Sequence, residues 1–162
     1  MTTRFGIGYD AHKLITGESF YLAGIEILAE KGPKGHSDGD VLTHAIIDAL
    51  LGSIGLGDIG IHFPESSPNV PEGISSSELL NRTLSLLVRD GWRVVNIDAT
   101  IALQAPKLQP YLEQIRLAIA SILEITAIQV NVKCTTEDGL GYTGSGDGIF
   151  AIAIAAVTDE KC

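Results

Sequence analysis

Apolar and polar positions recur with different periods along this chain, and the changes of period mark out its elements. Arg4 to Tyr9 predicts a short strand, which Asp10, Ala11 and His12 continue. Lys13 to Glu18 is polar and predicts a loop, and Phe20 to Ile27 predicts two short strands broken at Gly24. Glu30 to Gly35 predicts a turn. From Asp40 onward Val41, Leu42, Ala45, Ile46, Ala49 and Leu50 recur at helical spacing, until glycines at 55, 57 and 60 break the pattern around Asp58. Ser37 followed by Asp40 resembles the start of a capping box for that helix. Glu65 to Ser76 reads as a loop of the length that lids and binding loops have.

The second half repeats the alternation. Ser76 or Ser77 caps a helix running to about Asp90, and Val94 to Leu103 is a strand. Two prolines pin the loop 104–110, before a helix from about Tyr111 to Glu124 and a strand from Val130 to Thr135. A glycine-rich run, Thr136 to Gly148, leads into Ile149 to Val157, a nearly continuous apolar strand of the kind buried on both faces. A subunit interface accounts equally well for so apolar a strand. The predicted fold is an α/β sandwich, a mixed sheet with helices packed on one face, in a single domain over residues 1–162.

Composition narrows the functions. The chain carries a formal net charge of −9, which argues against nucleic acid and anionic membranes as partners. A phosphate ester bound here must be held by metal ions and backbone N–H groups rather than by general basicity. The two cysteines, Cys134 and Cys162, are too few for a disulfide scaffold and have no metal-ligand spacing. With no signal or transit peptide and no apolar run of membrane-spanning length, the expected compartment is the cytoplasm.

Candidate chemistry starts at the N-terminal strand. Residues i and i+2 of an extended chain share a face, so Asp10 and His12 converge, and His44 joins them from the first helix. One carboxylate and two imidazoles with a fourth position open is how a catalytic zinc site is built. His44 alone reads at least as well as part of a polar helix face. Lys107, in the proline-braced loop, is placed as a phosphate contact would be, although a lone lysine is more often plain surface. Thr135, Thr136, Glu137 and Asp138 offer the oxygen ligands that Mg²⁺ accepts beside phosphate.

D-x-H near the start, HSDGDVLTHAIIDALLG with LGDIGIHFP, QAPKLQP, and the threonine–acid–glycine run ending in LGYTG occur here in one order. Together they resemble the 2-C-methyl-D-erythritol 2,4-cyclodiphosphate synthase family of the non-mevalonate isoprenoid pathway, over essentially the whole chain. The resemblance implies a homotrimer with active sites between subunits and zinc on Asp10, His12 and His44. It implies a cytidine diphosphate substrate, 4-diphosphocytidyl-2-C-methyl-D-erythritol 2-phosphate, which cyclises with release of CMP. His36 and Thr136 would stabilise the transition state. His36 and Ser37 would contact the phosphates or diol. Asp58, Ile59 and Gly60, with Phe63, Pro64 and Glu65, would line the methylerythritol side. Leu103, Ala105, Pro106, Leu108 and Gln109 would wrap the cytidine, with Lys107 on the diphosphate. Thr135, Tyr142 and Ser145 complete the implied substrate contacts, and Asp48 would orient a metal-bound histidine.

The second metal, Mg²⁺ or Mn²⁺, has two possible ligands. Family members place three threonines before the metal-binding glutamate; here Thr135 and Thr136 precede Glu137 and Asp138, so an ungapped match selects Asp138 and a backbone shift selects Glu137. Ser145 stands where the family commonly has a basic residue. Two other readings compete with a synthase: a metal-dependent phosphoesterase, and a zinc-binding trimer without turnover.

Overall fold

The structure, a computed structural model, describes residues 1–159; Cys162 lies outside them. The first strand, β1 (Thr3–Thr16), is longer than the polarity of its second half predicts. Leu14, Ile15 and Thr16 pair with β4 (Lys31–Pro33). The expected loop at Lys13–Glu18 and turn at Glu30–Gly35 are thus partly an antiparallel ladder, because backbone pairing at a sheet edge does not require an apolar side-chain pattern. Between them β2 (Tyr21–Leu22) and β3 (Ile25–Glu26) form the expected small hairpin around Ala23 and Gly24.

Helix α1 (Val41–Ser53) is buried on nearly every side. Its N-cap is Asp40, not Ser37. The fully buried Asp40 carboxylate accepts from Thr43 N at 3.0 Å, Thr43 Oγ1 at 2.6 Å and Ala23 N at 2.5 Å. Burial raises the Asp40 carboxyl to about 6 against the pull of these donors. One side chain therefore starts α1 and holds the hairpin turn against it.

Helix α2 (Ile59–His62) is a single turn inside the glycine-broken segment, capped by Asp58, which accepts from Ile61 N at 3.0 Å. Helix α3 (Ser76–Arg89) buries Leu79, Leu80, Leu84 and Leu87. Ser75 stands at its N-cap, one residue before the predicted serines, and Ser76 is turned to other work described below. Strand β5 (Arg93–Ala102) is followed by helix α4 (Leu112–Ile122), a 3-10 turn at Ala127–Gln129 and strand β6 (Val130–Thr135). Helix α5 (Gly141–Gly144), again one turn, was not predicted, since so short a glycine-rich segment shows no apolar period. Strand β7 (Gly148–Thr158) closes the sheet.

The five-stranded sheet has the order β4-β1-β7-β5-β6. Only β5 and β6 run parallel, joined through α4, the crossover that a parallel pair needs. The sheet is therefore mixed, and α1 packs on one face of it. There β1 presents Gly6 and Gly8, and β7 presents Ala151, Ala153 and Ala155, so helix and sheet approach closely. On the same face Ile97, Ala99 and Ile101 of β5 join the core with Ile115 and Ile119 of α4.

The opposite face differs from expectation. Strand β7 is not buried on both sides: Ile154 is 48% exposed, beside Ile7 at 66%, with Phe5 at 70% and Tyr9 at 54% on the same strand. Cross-strand rows continue this surface as Ile7–Ile154–Asp98–Asn131 and Tyr9–Ile152–Thr100–Lys133. Among the described residues no element packs over Ile7 and Ile154.

Candidate metal and phosphate site

At the far end of β1 the inward positions change from glycine to Asp10 and His12. The close approach of α1, which glycine permits lower down, brings His44 to the same point. His12 Nε2 and His44 Nδ1 each lie 2.9 Å from Asp10 Oδ2, and 3.5 Å from one another. A tetrahedral zinc with bonds of about 2.0–2.1 Å sets its donors about 3.3 Å apart, so these three atoms are spaced as one ion requires.

The proton positions agree. His12 Nδ1 lies 2.8 Å from the Lys34 carbonyl, which can only accept, so Nδ1 donates and Nε2 keeps its lone pair for the shared point. Burial lowers the basicity of His12, but Asp10 outweighs it and raises the imidazole above its ordinary value. Burial likewise opposes ionisation of Asp10, yet its two histidines hold it well below the usual carboxylate range. Among the described residues, Asp10, His12 and His44 form the one cluster that could hold a metal ion.

A cavity of about 240 Å³ opens onto the three donors. His36, Ser37, Ile59, Gly60, Phe63, Pro64 and Glu65 line it, all of them expected there, and Val70 and Leu79 join them without having been foreseen. His36 Nε2 donates to the Val70 carbonyl at 3.2 Å, which pins the ring to the loop before α3. Asp58 is not in the lining; it stands exposed at the start of α2, with one carboxylate oxygen engaged in the cap. Asp48 does not reach His44. Its carboxylate accepts from Ile59 N at 2.8 Å and so anchors the start of α2 instead. Burial raises the Asp48 carboxyl above its ordinary value.

Leu103, Pro106, Lys107, Leu108, Gln109, Thr135 and Thr136 gather elsewhere, around a second cavity of about 190 Å³ that also takes in Gln104 and Cys134. The Ala105–Pro106 peptide is cis. Lys107 is exposed and carries no acceptor among the described residues. The two cavities share no lining residue. Strand register puts Asp10, Ala151, Ile101 and Cys134 in one row, so both cavities sit at the same end of the sheet, with Asp10 and Cys134 three strand spacings or about 14 Å apart.

The YgbB family profile matches residues 3–158. The chain belongs to the YgbB family. It is 45% identical over 159 residues to the 2-C-methyl-D-erythritol 2,4-cyclodiphosphate synthase of Fusobacterium nucleatum, covering 98% of this chain and 99% of that one. The synthase of the same name from Agathobacter rectalis is 50% identical over 155 residues, covering 96% of this chain and 87% of its own. A solved 2-C-methyl-D-erythritol 2,4-cyclodiphosphate synthase in its CDP-bound form superposes with a TM-score of 0.89 at 30% identity, covering 96% of this chain and all of that one.

The two acids after Thr136 are distinguished by geometry. Glu137 is partly buried and accepts a hydrogen bond from Thr143 of α5. Asp138 is exposed in a left-handed backbone conformation (φ 50°), with only a 3.5 Å contact from Thr136 Oγ1. Tyr142 points to the open sheet face, where its hydroxyl lies 2.9 Å from that of Tyr9 and its ring sits beside Phe150. Burial, with Tyr9 next, pushes the Tyr142 phenol up to about 12. Ser145 donates to Asp147 Oδ2 at 2.6 Å within its own turn and lines neither of the two cavities.

Proposed function

We propose that this YgbB-family chain is a cyclising, CMP-releasing phosphorus–oxygen lyase. It converts 4-diphosphocytidyl-2-C-methyl-D-erythritol 2-phosphate to 2-C-methyl-D-erythritol 2,4-cyclodiphosphate in isoprenoid biosynthesis. The observation that carries this reading is the convergence of Asp10, His12 and His44 on one point inside a cavity, in a chain nearly half identical to synthases of that name. In the reaction a 2-phosphate oxygen bonds to the β-phosphorus, the bond from that phosphorus to the bridging oxygen breaks, and CMP departs with it. The nucleophile is already an anion, so positioning and charge neutralisation do most of the work and no strong base is required.

Asp10, His12 and His44 hold a zinc ion, and Asp138 holds Mg²⁺ or Mn²⁺; when bound, these ions supply Lewis acidity and neutralise phosphate charge. His36, fixed through Val70, and Thr136 donate toward the oxygens on which charge grows. Ser37 and the α2 turn take the erythritol phosphate and hydroxyls, with Asp58 and Gly60 at the rim. The loop 103–109 takes the cytidine, and Lys107 meets the diphosphate.

The separation of the two cavities within one chain supports a site shared between copies. The sheet face opposite α1 carries the exposed Phe5, Ile7, Tyr9 and Ile154, and in a trimer it becomes the inner wall. The described residues contain no helix long and apolar enough to cross a membrane, and the cytoplasm is the compartment this reading assigns.

Phosphorus NMR of the protein with its cytidyl diphospho substrate, Zn²⁺ and Mg²⁺ tests the reading. A cyclic diphosphate with CMP is the expected product. Inorganic phosphate would replace the synthase by a phosphoesterase, and an unchanged spectrum with zinc bound would leave a non-catalytic trimer.

A further inference from the structure

His44 meets its three-donor cluster through Nδ1, and its far nitrogen reaches a contact that the family motifs did not suggest. Nε2 lies 2.9 Å from Ser76 Oγ and 3.0 Å from Ser37 Oγ. The two serines differ in what their hydroxyl hydrogens can do. Ser37 borders the cavity, and its oxygen accepts only a long contact from Gly39 N at 3.4 Å. Its hydrogen is not committed to an acceptor, so Ser37 can donate to His44 or accept from it.

Ser76 has no such choice. It is fully buried as the first residue of α3, and Asp38 grips it twice. Asp38 Oδ2 accepts from Ser76 N at 2.8 Å, and Asp38 Oδ1 accepts from the Ser76 hydroxyl. That charge-assisted bond takes the single hydroxyl hydrogen. Toward His44, Ser76 Oγ is left with lone pairs only, which favours a hydrogen on Nε2; Asp10 Oδ2, 2.9 Å from Nδ1, competes for that hydrogen until a cation at Nδ1 takes its place.

We propose that Ser76, held by Asp38, is the positioning residue that fixes the tautomer of His44 and so determines which nitrogen faces the metal. The inference rests on the reading of Asp10, His12 and His44 as a zinc site. It assigns a second purpose to the start of α3: the element that closes the cavity also sets the donor atom of one ligand. Lys34 does the equivalent for His12 through its carbonyl, so each imidazole has its own acceptor behind it.

The test is nitrogen-15 NMR of labelled histidines at pH 8, on zinc-loaded and chelator-treated protein, together with zinc affinity by competition against a chromophoric chelator. Zinc-loaded wild type is expected to bind through His44 Nδ1 with the hydrogen on Nε2, and metal-free wild type to hold a larger share of the Nε2–H tautomer than Asp38→Asn does. Asp38→Asn is nearly isosteric; its amide donates to Ser76 Oγ, frees the hydroxyl hydrogen for Nε2 and shifts His44 toward Nδ1–H. Asp38→Asn and Ser76→Ala should each weaken zinc binding by roughly 10–100-fold, the usual loss when a partner behind a metal ligand is removed. Zinc bound through Nε2 of His44 in wild type overturns the proposal even where a variant fails to fold. So does zinc affinity within about threefold of wild type in both variants. A wild type that takes no zinc, yet shows the Nε2–H tautomer and loses it in Asp38→Asn, supports the Ser76 assignment and overturns the metal reading instead.

Discussion

A Cβ added at Gly8 would lie 1.9 Å from the carbonyl oxygen of Ala45. The contact is between two backbones, so no side chain can swing aside to relieve it. It lies one helical turn from the Ala49 carbonyl, which closes over Gly6 in the same way at 2.0 Å. Two residues after Gly8, Asp10 meets His44, the neighbour of Ala45. The glycines thus set the distance at which strand and helix ligands meet.

Gly8→Ala is therefore expected to lift α1 from β1, at a cost of about 3 kcal/mol or more, the upper range for overpacking a core. Thermal unfolding measures the first effect. Zinc competition measures the second, and affinity should fall although no ligand has been altered. Unchanged zinc affinity would show that His44 follows Asp10 independently of the glycine contact.

The pH dependence follows from the directions of two shifts. Asp10 is lowered from 3.8, so its contribution to stability is present above that value and lost as pH falls through its depressed value. His12 is raised from 6.5, so its contribution is complete below 6.5 and lost as pH rises through its raised value. Metal-free protein should accordingly draw most from this pair between about pH 4 and 6.5 and lose melting temperature above it. Zinc needs His12 Nε2 without a proton, so affinity should weaken as pH falls below the raised His12 value, by about tenfold per unit. Melting curves of chelator-treated and zinc-loaded protein from pH 5 to 8 should diverge toward the alkaline end.

Asp138 and Glu137 should separate cleanly by mutation. Asp138→Asn is expected to remove stimulation of turnover by Mg²⁺, by about 100-fold, with stability unchanged. Glu137→Gln loses a charged hydrogen bond to the buried Thr143 and should cost about 2 kcal/mol while keeping the Mg²⁺ response. Magnesium titration of turnover beside thermal unfolding reads both, and reversal of the pattern would assign the metal to Glu137.

Ile154 stands at the middle of the uncovered sheet face, across from Ile7. If the proposed trimer forms through this face, Ile154→Lys is expected to break it and to remove activity with it, while each subunit stays folded. Sedimentation velocity gives the mass and circular dichroism the fold. A trimer that survives the lysine would move the subunit contact elsewhere.

By itself the sequence determined what depends on local period and on residue type. Helices α1, α3 and α4, strands β5 to β7 and the donors Asp10, His12 and His44 were legible because apolar spacing and side-chain chemistry are written along the chain. The edge strand β4, the one-turn helices α2 and α5 and the cap at Asp40 were not, since each depends on a partner distant in sequence or is too short for a period. Tertiary structure alone decided that Asp48 serves Ile59 rather than His44, and that Ser76 serves His44 rather than its own helix. It alone decided that Glu137 is taken by Thr143. It also split the expected substrate contacts into two cavities, because strand order, which no single segment encodes, puts β7 between β1, which carries Asp10 and His12, and β5 and β6, which lead into the second cavity.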